Sequence, residues 1–148
     1  MLPPTSVNPN WRIGIVYSPY YKEEAEAIVR GTEEALSAAG IKEENISKHV
    51  VFGSFEIPLI GAALCEAKKV DALVGIGIIV EGETQHARLL ADQTAKGMMD
   101  IQVRYRVPFA FEVLYVNNLA QAKERSAKGA EAAAAVLHSL AKLAELSS

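Results

Sequence analysis

The chain lacks the sequence features that build disulfides, multi-cysteine metal sites or membrane spans. Cys65 is the only cysteine among 148 residues, which excludes an internal disulfide and a multi-cysteine metal site and favours a reducing, cytoplasmic setting. The longest apolar run, residues 72–80, has about half the length of a membrane-spanning helix, so we expect no membrane span. The net charge of −3 provides no overall basic surface for nucleic acid.

The composition supplies enough apolar material for one hydrophobic core. Half of the residues are hydrophobic and 22% are charged, and a chain of this length buries roughly 68–70% of its unfolded surface on folding. We find no internal repeat and no low-complexity segment. Residues 1–11 contain three prolines and are predicted to form a leader, and residues 12–148 are predicted to form a single domain.

Strand and helix patterns alternate along the chain. The predicted strands cover residues 12–17, 48–52, 72–80 and 109–116, and the predicted helices cover residues 22–39, 58–68, 85–106, 119–126 and 129–146. Residues 72–80 are apolar without alternation, which is typical of a strand buried on both faces. In the third helix we expect six residues to face inward, namely Leu89, Leu90, Ala95, Met98, Met99 and Ile101. The pattern predicts an α/β fold, a doubly wound three-layer α/β/α sandwich with a four-stranded parallel sheet.

Ligands of such sheets bind beyond the carboxyl ends of the strands. The loop after the third strand is the most informative, because Gly82 permits a positive φ and Thr84 offers a hydroxyl. The amides at the start of the next helix favour an anion. His86 would lie beside that anion and could transfer protons. Alternatively, it is a surface histidine without a function.

Aromatic and charged residues follow the other strands. Phe55 and Glu56 could stack on and hydrogen-bond to a polar ring, or they could be a core phenylalanine and a carboxylate that stabilises a helix dipole. Tyr20 could form a stacking wall or only pack its loop. Arg125 could pair with a phosphate or be a solvated charge. Phe111 lies in the last predicted strand, where a phenylalanine normally belongs to the core.

Several motifs of nucleotide and metal sites are missing. The chain has neither a phosphate-binding P-loop motif nor a Rossmann glycine fingerprint, and Gly75 and Gly77 fall inside a predicted strand. No spacing of histidine, cysteine and carboxylate residues indicates a metal site. His49 and His138 are not expected at a carboxyl strand end, so we interpret both as structural.

Two segments, residues 53–59 (GSFEIPL) and residues 81–86 (EGETQH), occur in an order and spacing that resemble the lumazine synthase family. Shorter matches follow at residues 96–97, 107–108 and 121–125, and the resemblance covers about residues 12–146. It implies a flavodoxin-like subunit that needs no cofactor. It also implies a condensation of 5-amino-6-(D-ribitylamino)uracil with 3,4-dihydroxy-2-butanone 4-phosphate, the penultimate step of riboflavin biosynthesis.

The resemblance implies a role for each candidate residue. His86 matches the proton-transfer residue, and Arg125 matches the cationic partner of the phosphate. Tyr20 takes the place of the aromatic residue that stacks on the pyrimidine. The residues that match the phosphate loop are Gly82, Glu83 and Thr84. The residues that match the binding segments for the ring and the ribityl chain are Ser54, Phe55, Glu56, Ile78, Ile79 and Val80. Those that match contributions from a neighbouring subunit are Phe111 and Lys128.

The resemblance also implies partners. We expect self-association as a homopentamer, with a short link at residues 126–129 favouring an icosahedral shell of pentamers, and riboflavin synthase as a pathway partner. We expect neither nucleic acid nor membrane as a partner.

The chain departs from the family pattern at two places. Where the family commonly has Arg-Phe-Asn, this chain has Pro19-Tyr20-Tyr21, and Glu112 replaces a small residue. An archaeal-type riboflavin synthase and a non-catalytic flavin carrier or shell protein are the alternatives.

Overall fold

The computed structural model describes residues 6–82, 86–125 and 127–148. Within these residues, four strands form one parallel sheet, and five α-helices and two short 3-10 turns surround it. The strands are β1 (Ile13–Tyr17), β2 (Ile46–Val50), β3 (Ala72–Val80) and β4 (Phe109–Val116). The helices are α1 (Lys22–Ala38), α2 (Ile57–Glu66), α3 (Ala87–Tyr105), α4 (Leu119–Glu124) and α5 (Lys128–Ser147). The 3-10 turns are Glu43–Asn45 and Ser54–Glu56.

The predicted α/β fold is confirmed. The strand order is β2-β1-β3-β4 with every pair parallel, as in flavodoxin-like sheets. Helices α1 and α5 pack on one face of the sheet, and α2 and α3 pack on the other. All nine residues of β3 are buried, as its apolar run predicts. None of the helices in the described part of the chain is long and apolar enough to cross a membrane.

Unequal strand lengths position the site. The last residue of β1, Tyr17, pairs with Ile76, so β3 continues for four residues beyond the end of its neighbour. The chain leaves β1 toward α1 on one face of the sheet, and it leaves β3 toward α3 on the other face. The two connections therefore diverge at the carboxyl ends of β1 and β3, which is the switch point where α/β sheets form their ligand crevices.

Two predictions about individual elements are wrong. Strand β2 lies two residues earlier than predicted, because its ladder with β1 ends at the pair Tyr17 and Val50 and leaves Phe52 in the loop. Leu89 and Met99 do not face inward; both side chains are more than half exposed on α3. Met98 and Ile101 face inward as predicted, and the other buried residues of α3 are Ala87, Ala91 and Thr94.

Candidate functional site

A cavity of about 350 Å³ opens at the carboxyl ends of β1 and β3. It brings together seven of the residues that the sequence predicts for the site: Tyr20, Ser54, Phe55, Glu56, Ile78, Ile79 and Val80. Its other lining residues are Ser18, Tyr21, Phe52, Gly53 and Leu90. Apolar walls with a few polar groups at the rim are the usual lining of a small-molecule site.

The floor of the cavity depends on a close approach between Ser54 and β3. Ser54 is buried, with a relative solvent exposure of 6%. Its hydroxyl lies directly against Gly77, in the space that a Cβ at this position would occupy. The carbonyl oxygen of Ser54 lies 3.5 Å from the hydroxyl of Thr94 on α3. The glycine inside β3 therefore makes room for the loop that carries Ser54.

Aromatic rings form the rim of the cavity. Tyr20 is 74% exposed and meets Tyr21 edge to face, with ring centroids 4.9 Å apart at an interplanar angle of 78°. Phe55 is 61% exposed, so its interpretation as a core residue is wrong. Phe52 is also exposed beside it. Exposed rings of this kind are available to stack on a flat polar ligand.

Ser18 connects the two aromatic loops and is a residue that the sequence analysis missed. It is buried, and its hydroxyl accepts a hydrogen bond from the backbone N–H of Tyr20 at 3.4 Å. The same hydroxyl donates to the carbonyl of Phe52 at 3.4 Å. Its position directly after the first predicted strand was the available signal, since that is where parallel sheets place their binding loops.

Glu56 contributes a half-buried carboxylate to the cavity wall. Its backbone N–H donates to the carbonyl of Gly53 at 3.1 Å, which closes the 3-10 turn before α2. A Cβ built on Gly53 would lie 3.3 Å from Oε1 of Glu56, so the carboxylate folds back over that glycine. The wall thus presents a hydrogen-bond acceptor next to apolar surface.

The start of α3 borders the same cavity. Gly82 has a φ of +84°, a conformation that glycine permits. His86 is exposed and immediately precedes α3, and its carbonyl accepts the N–H of Leu90, a cavity-lining residue, at 2.8 Å. Glu83 and Thr84, the other two residues predicted for this loop, lie outside the described residues.

Three further predicted residues lie elsewhere, in a second cavity of about 430 Å³ along the open edge of β4. They are Phe111, Arg125 and Lys128. Phe111 is 46% exposed, so the expectation that it belongs to the core is wrong. Nζ of Lys128 forms an ion pair with Glu131 at 2.9 Å, and that hydrogen bond raises the pKa of Lys128. The predicted site residues that line a cavity therefore form two separate groups in one chain, seven in the first cavity and three in the second.

Two other reactive side chains, His49 and Cys65, line neither of these cavities. Nε2 of His49 lies 2.8 Å from the hydroxyl of Ser47, and burial, followed by the charge of Lys69, lowers the pKa of His49. Burial raises the pKa of the Cys65 thiol, which keeps it in the less reactive neutral form. No group of three potential metal ligands occurs among residues 6–82, 86–125 and 127–148.

Comparisons with known proteins identify relatives over most of the chain. The family model described as 6,7-dimethyl-8-ribityllumazine synthase matches residues 10–144. A protein of that same description from Polaromonas sp. (strain JS666 / ATCC BAA-500) is 34% identical over 131 residues, which cover 88% of this chain and 85% of the relative. A solved structure of an oxidoreductase from Corynebacterium diphtheriae covers 94% of this chain and 100% of its own, but its 16% identity and TM-score of 0.43 support no conclusion. The chain therefore belongs to the 6,7-dimethyl-8-ribityllumazine synthase family, whose members are transferases.

Proposed function

We propose that this chain condenses 5-amino-6-(D-ribitylamino)uracil with 3,4-dihydroxy-2-butanone 4-phosphate to 6,7-dimethyl-8-ribityllumazine. Phosphate and water leave in this penultimate step of riboflavin biosynthesis. The observation that carries the proposal is the cavity at the carboxyl ends of β1 and β3, with its aromatic rim, its buried Ser54 and its half-buried Glu56. Family membership supports the same assignment.

The cavity suits a flat heterocycle with a polyol chain. Tyr20 and Phe55 supply exposed rings for stacking on the pyrimidine, and the strand end of Ile78, Ile79 and Val80 supplies an apolar wall. Ser54 and Glu56 supply a hydroxyl and a carboxylate for the ring and for the ribityl hydroxyls. We assign these residues to binding of the ribitylaminouracil, because each type of group meets a matching part of that molecule.

The second substrate carries a phosphate, and we assign this phosphate to the start of α3. Helix N-termini bind anions through their amides and dipole, and Gly82 has the positive φ that lets the loop backbone turn there. Glu83 and Thr84 belong to the same proposed loop. Arg125 is the proposed cationic partner, because its planar guanidinium matches a phosphate oxygen pair.

The chemistry needs positioning and proton transfer rather than a strong nucleophile. The 5-amino nitrogen attacks the ketone carbon, and loss of water gives an imine. A proton leaves carbon as the carbon–oxygen bond to phosphate breaks. The resulting enol tautomerises to a ketone, the ribityl-bearing nitrogen attacks the carbon of this new ketone, and a second water leaves as the ring closes. We assign the proton transfers to His86, which in the sequence follows the proposed phosphate loop and precedes the cavity-lining Leu90.

We further propose that the complete site forms between two copies of this chain. Phe111, Arg125 and Lys128 line the edge of β4 and are absent from the lining of the first cavity. Four large apolar side chains on α2 and α3 are each more than half exposed, as expected of a surface that a partner covers. They are Leu59, Leu89, Met99 and Val103. A homopentamer, or an icosahedral shell of pentamers, is the proposed assembly.

Two further parts of the proposal concern a pathway partner and the location of the protein in the cell. Riboflavin synthase is the proposed pathway partner, since it would use the lumazine product. A cytoplasmic location fits the single cysteine, Cys65, which is buried and unpaired in this structure.

The test is to incubate the purified protein with both substrates and to follow lumazine fluorescence against an enzyme-free control. We expect acceleration that depends on both substrates. Conversion of lumazine alone into riboflavin would identify a riboflavin synthase instead. Tight binding of lumazine or riboflavin without any acceleration would identify a carrier or shell protein, and the unusual loop at residues 19–21 would then be the first suspect.

A further inference from the structure

Glu112 places a carboxylate on the strand that carries Phe111. It lies in the middle of β4, an edge strand, and is half-buried. It lines the same cavity as Phe111, Arg125 and Lys128. It also lines a neighbouring cavity of about 550 Å³ against α5. The side chain therefore adds an ionisable group to the cationic half of the proposed site.

Charged groups surround Glu112 on three elements. On α5, Lys128 and Glu131 form the 2.9 Å ion pair described above, and Glu112 lies within electrostatic range of both. The ionisable side chains that line the two cavities from the described residues are Asp92 of α3, Arg125 after α4, Lys128, Glu131 and His138 of α5, and Tyr115 of β4 itself. The carboxyl of Glu112 thus shares one cavity with the Lys128–Glu131 ion pair and with Arg125.

The protonation of Glu112 changes close to neutral pH. Burial, followed by the charge of Glu131, raises its pKa to about 7, whereas the charge of Lys128 opposes the rise. The influence is mutual, because Glu112 is among the groups that raise the pKa of Lys128. A carboxyl in this position is neutral in mildly acidic solution and charged in mildly alkaline solution.

We propose that Glu112 sets the affinity of the site for the phosphorylated substrate. Its neutral form leaves the cations of the cavity to the phosphate, whereas its carboxylate attracts Lys128 and repels a phosphate held in the same cavity as Arg125. This inference rests on the proposed function, in which Arg125 binds the phosphate and the second cavity supplies half of the site. Glu112 thus affects how tightly the phosphate binds and takes no part in making or breaking bonds.

The effect follows from the sign of the charges. A phosphate monoester carries nearly two negative charges at neutral pH, and a carboxylate in the same cavity repels it. Because the cavity is open to solvent, water and salt reduce the repulsion. We expect affinity for a dianion to fall about three- to tenfold when Glu112 ionises.

The test uses sulfate as a probe, because sulfate is a dianion throughout the range of interest. Isothermal titration calorimetry on the assembled protein gives the Kd at pH 6 and pH 8 for wild type and Glu112→Gln. We expect equal Kd values at pH 6 and a Kd about three- to tenfold lower for Glu112→Gln at pH 8. Comparing the two proteins at each pH cancels the contributions of histidines, including His138.

Three further variants keep the test specific. Glu112→Asp should retain the weaker binding at pH 8, since it keeps the carboxylate. Glu34→Gln removes an exposed carboxylate of α1 and should behave as wild type. Glu112→Ala replaces Glu112→Gln if circular dichroism shows that the amide variant does not fold.

Enzyme kinetics provide the second readout. At pH 8 Glu112→Gln should lower the KM for the butanone phosphate by the same factor and leave kcat unchanged. Equal sulfate affinity of wild type and Glu112→Gln at pH 8, or no sulfate binding by either, overturns the proposal for Glu112. The two proposals fail separately: sulfate binding with this pH pattern but no condensation refutes only the synthase assignment, and condensation without the pattern refutes only the role of Glu112.

Discussion

The hydroxyl of Ser54 packs directly against the backbone of Gly77, and this contact holds the second binding loop onto the central strand. Ser54 is buried and lines the candidate site, whereas Gly77 lies inside β3, where every residue is buried. A glycine inside a strand costs conformational entropy. Here it allows a loop to approach the strand closely enough to form the floor of a cavity.

Gly77→Ala should therefore destabilise the fold by about 1–3 kcal/mol, because the new methyl group must displace Ser54. Urea denaturation of the single and double variants measures this cost. The cost of Gly77→Ala should fall when Ser54→Ala removes the hydroxyl, since the crowded atom is then gone. If the alanine costs the same in both backgrounds, the contact does not determine the geometry of the floor.

Tyr20 should contribute to affinity through its ring rather than through its hydroxyl. Tyr20→Ala should raise the KM for the ribitylaminouracil about three- to tenfold, because one stacking surface is lost. Tyr20→Phe keeps the ring and should leave the KM close to that of wild type. Steady-state kinetics at saturating butanone phosphate measure both values. Equal KM values for all three proteins would place the ring outside the site.

Glu112 should make stability depend on pH. Its pKa rises on folding from 4.5 to about 7, so the native state binds more protons than the unfolded state in that window. The free energy of unfolding of the wild type therefore falls as the pH rises through this window and is constant above it. With the solvent-exposed part of the side chain taken into account, we expect Glu112→Gln to gain about 1 kcal/mol relative to wild type between pH 4.5 and pH 8.

Denaturation of both proteins across this pH range checks the prediction, since the difference between them removes the contributions of other titrating groups. A difference that does not change with pH would mean that Glu112 titrates at its ordinary value in the folded state. It would also remove the physical basis for its proposed role in phosphate affinity.

If the active site is shared between copies, two inactive variants should restore each other. His86→Ala and Arg125→Ala alter different groups of residues, and each alone should lose most of its activity. After joint unfolding and refolding of equal amounts, about a quarter of the sites should be intact if subunits assort at random. Refolding each variant alone provides the control. No recovery in the mixture would place both residues in one copy of the site.

The sequence predicts the fold more accurately than it predicts which side chains are exposed. The uninterrupted apolar run of residues 72–80 identified the central strand, because only burial on both faces tolerates it. Strand β2 was placed two residues late, since an edge strand is half exposed and its alternation is weak. The residue patterns alone left a core position open for Phe55 and favoured one for Phe111, because a sequence cannot show whether an aromatic ring meets the interior or a ligand or partner.

The loops of the candidate site were predicted from the sequence, and the separate origin of Phe111 and Lys128 was implied by the resemblance, but the separate position of Arg125 was not predicted. The rule that parallel sheets bind ligands at carboxyl strand ends located the first cavity. The separation of Phe111, Arg125 and Lys128 from it depends on the distance between β1 and the β4 edge, which requires the strand order. Ser18 was missed because its hydroxyl acts through two backbone groups that are distant in sequence.

The most direct test compares the condensation rates of wild type, His86→Ala and His49→Asn. We predict that wild type accelerates the reaction over the enzyme-free control, and that His86→Ala lowers kcat on the order of 10²–10⁴-fold while its elution volume in size exclusion is unchanged. His49, which contacts Ser47 outside the cavity, is the matched control and should retain full activity. An unchanged rate for His86→Ala would remove this histidine from the mechanism. A wild type that binds lumazine without accelerating the condensation would contradict the account.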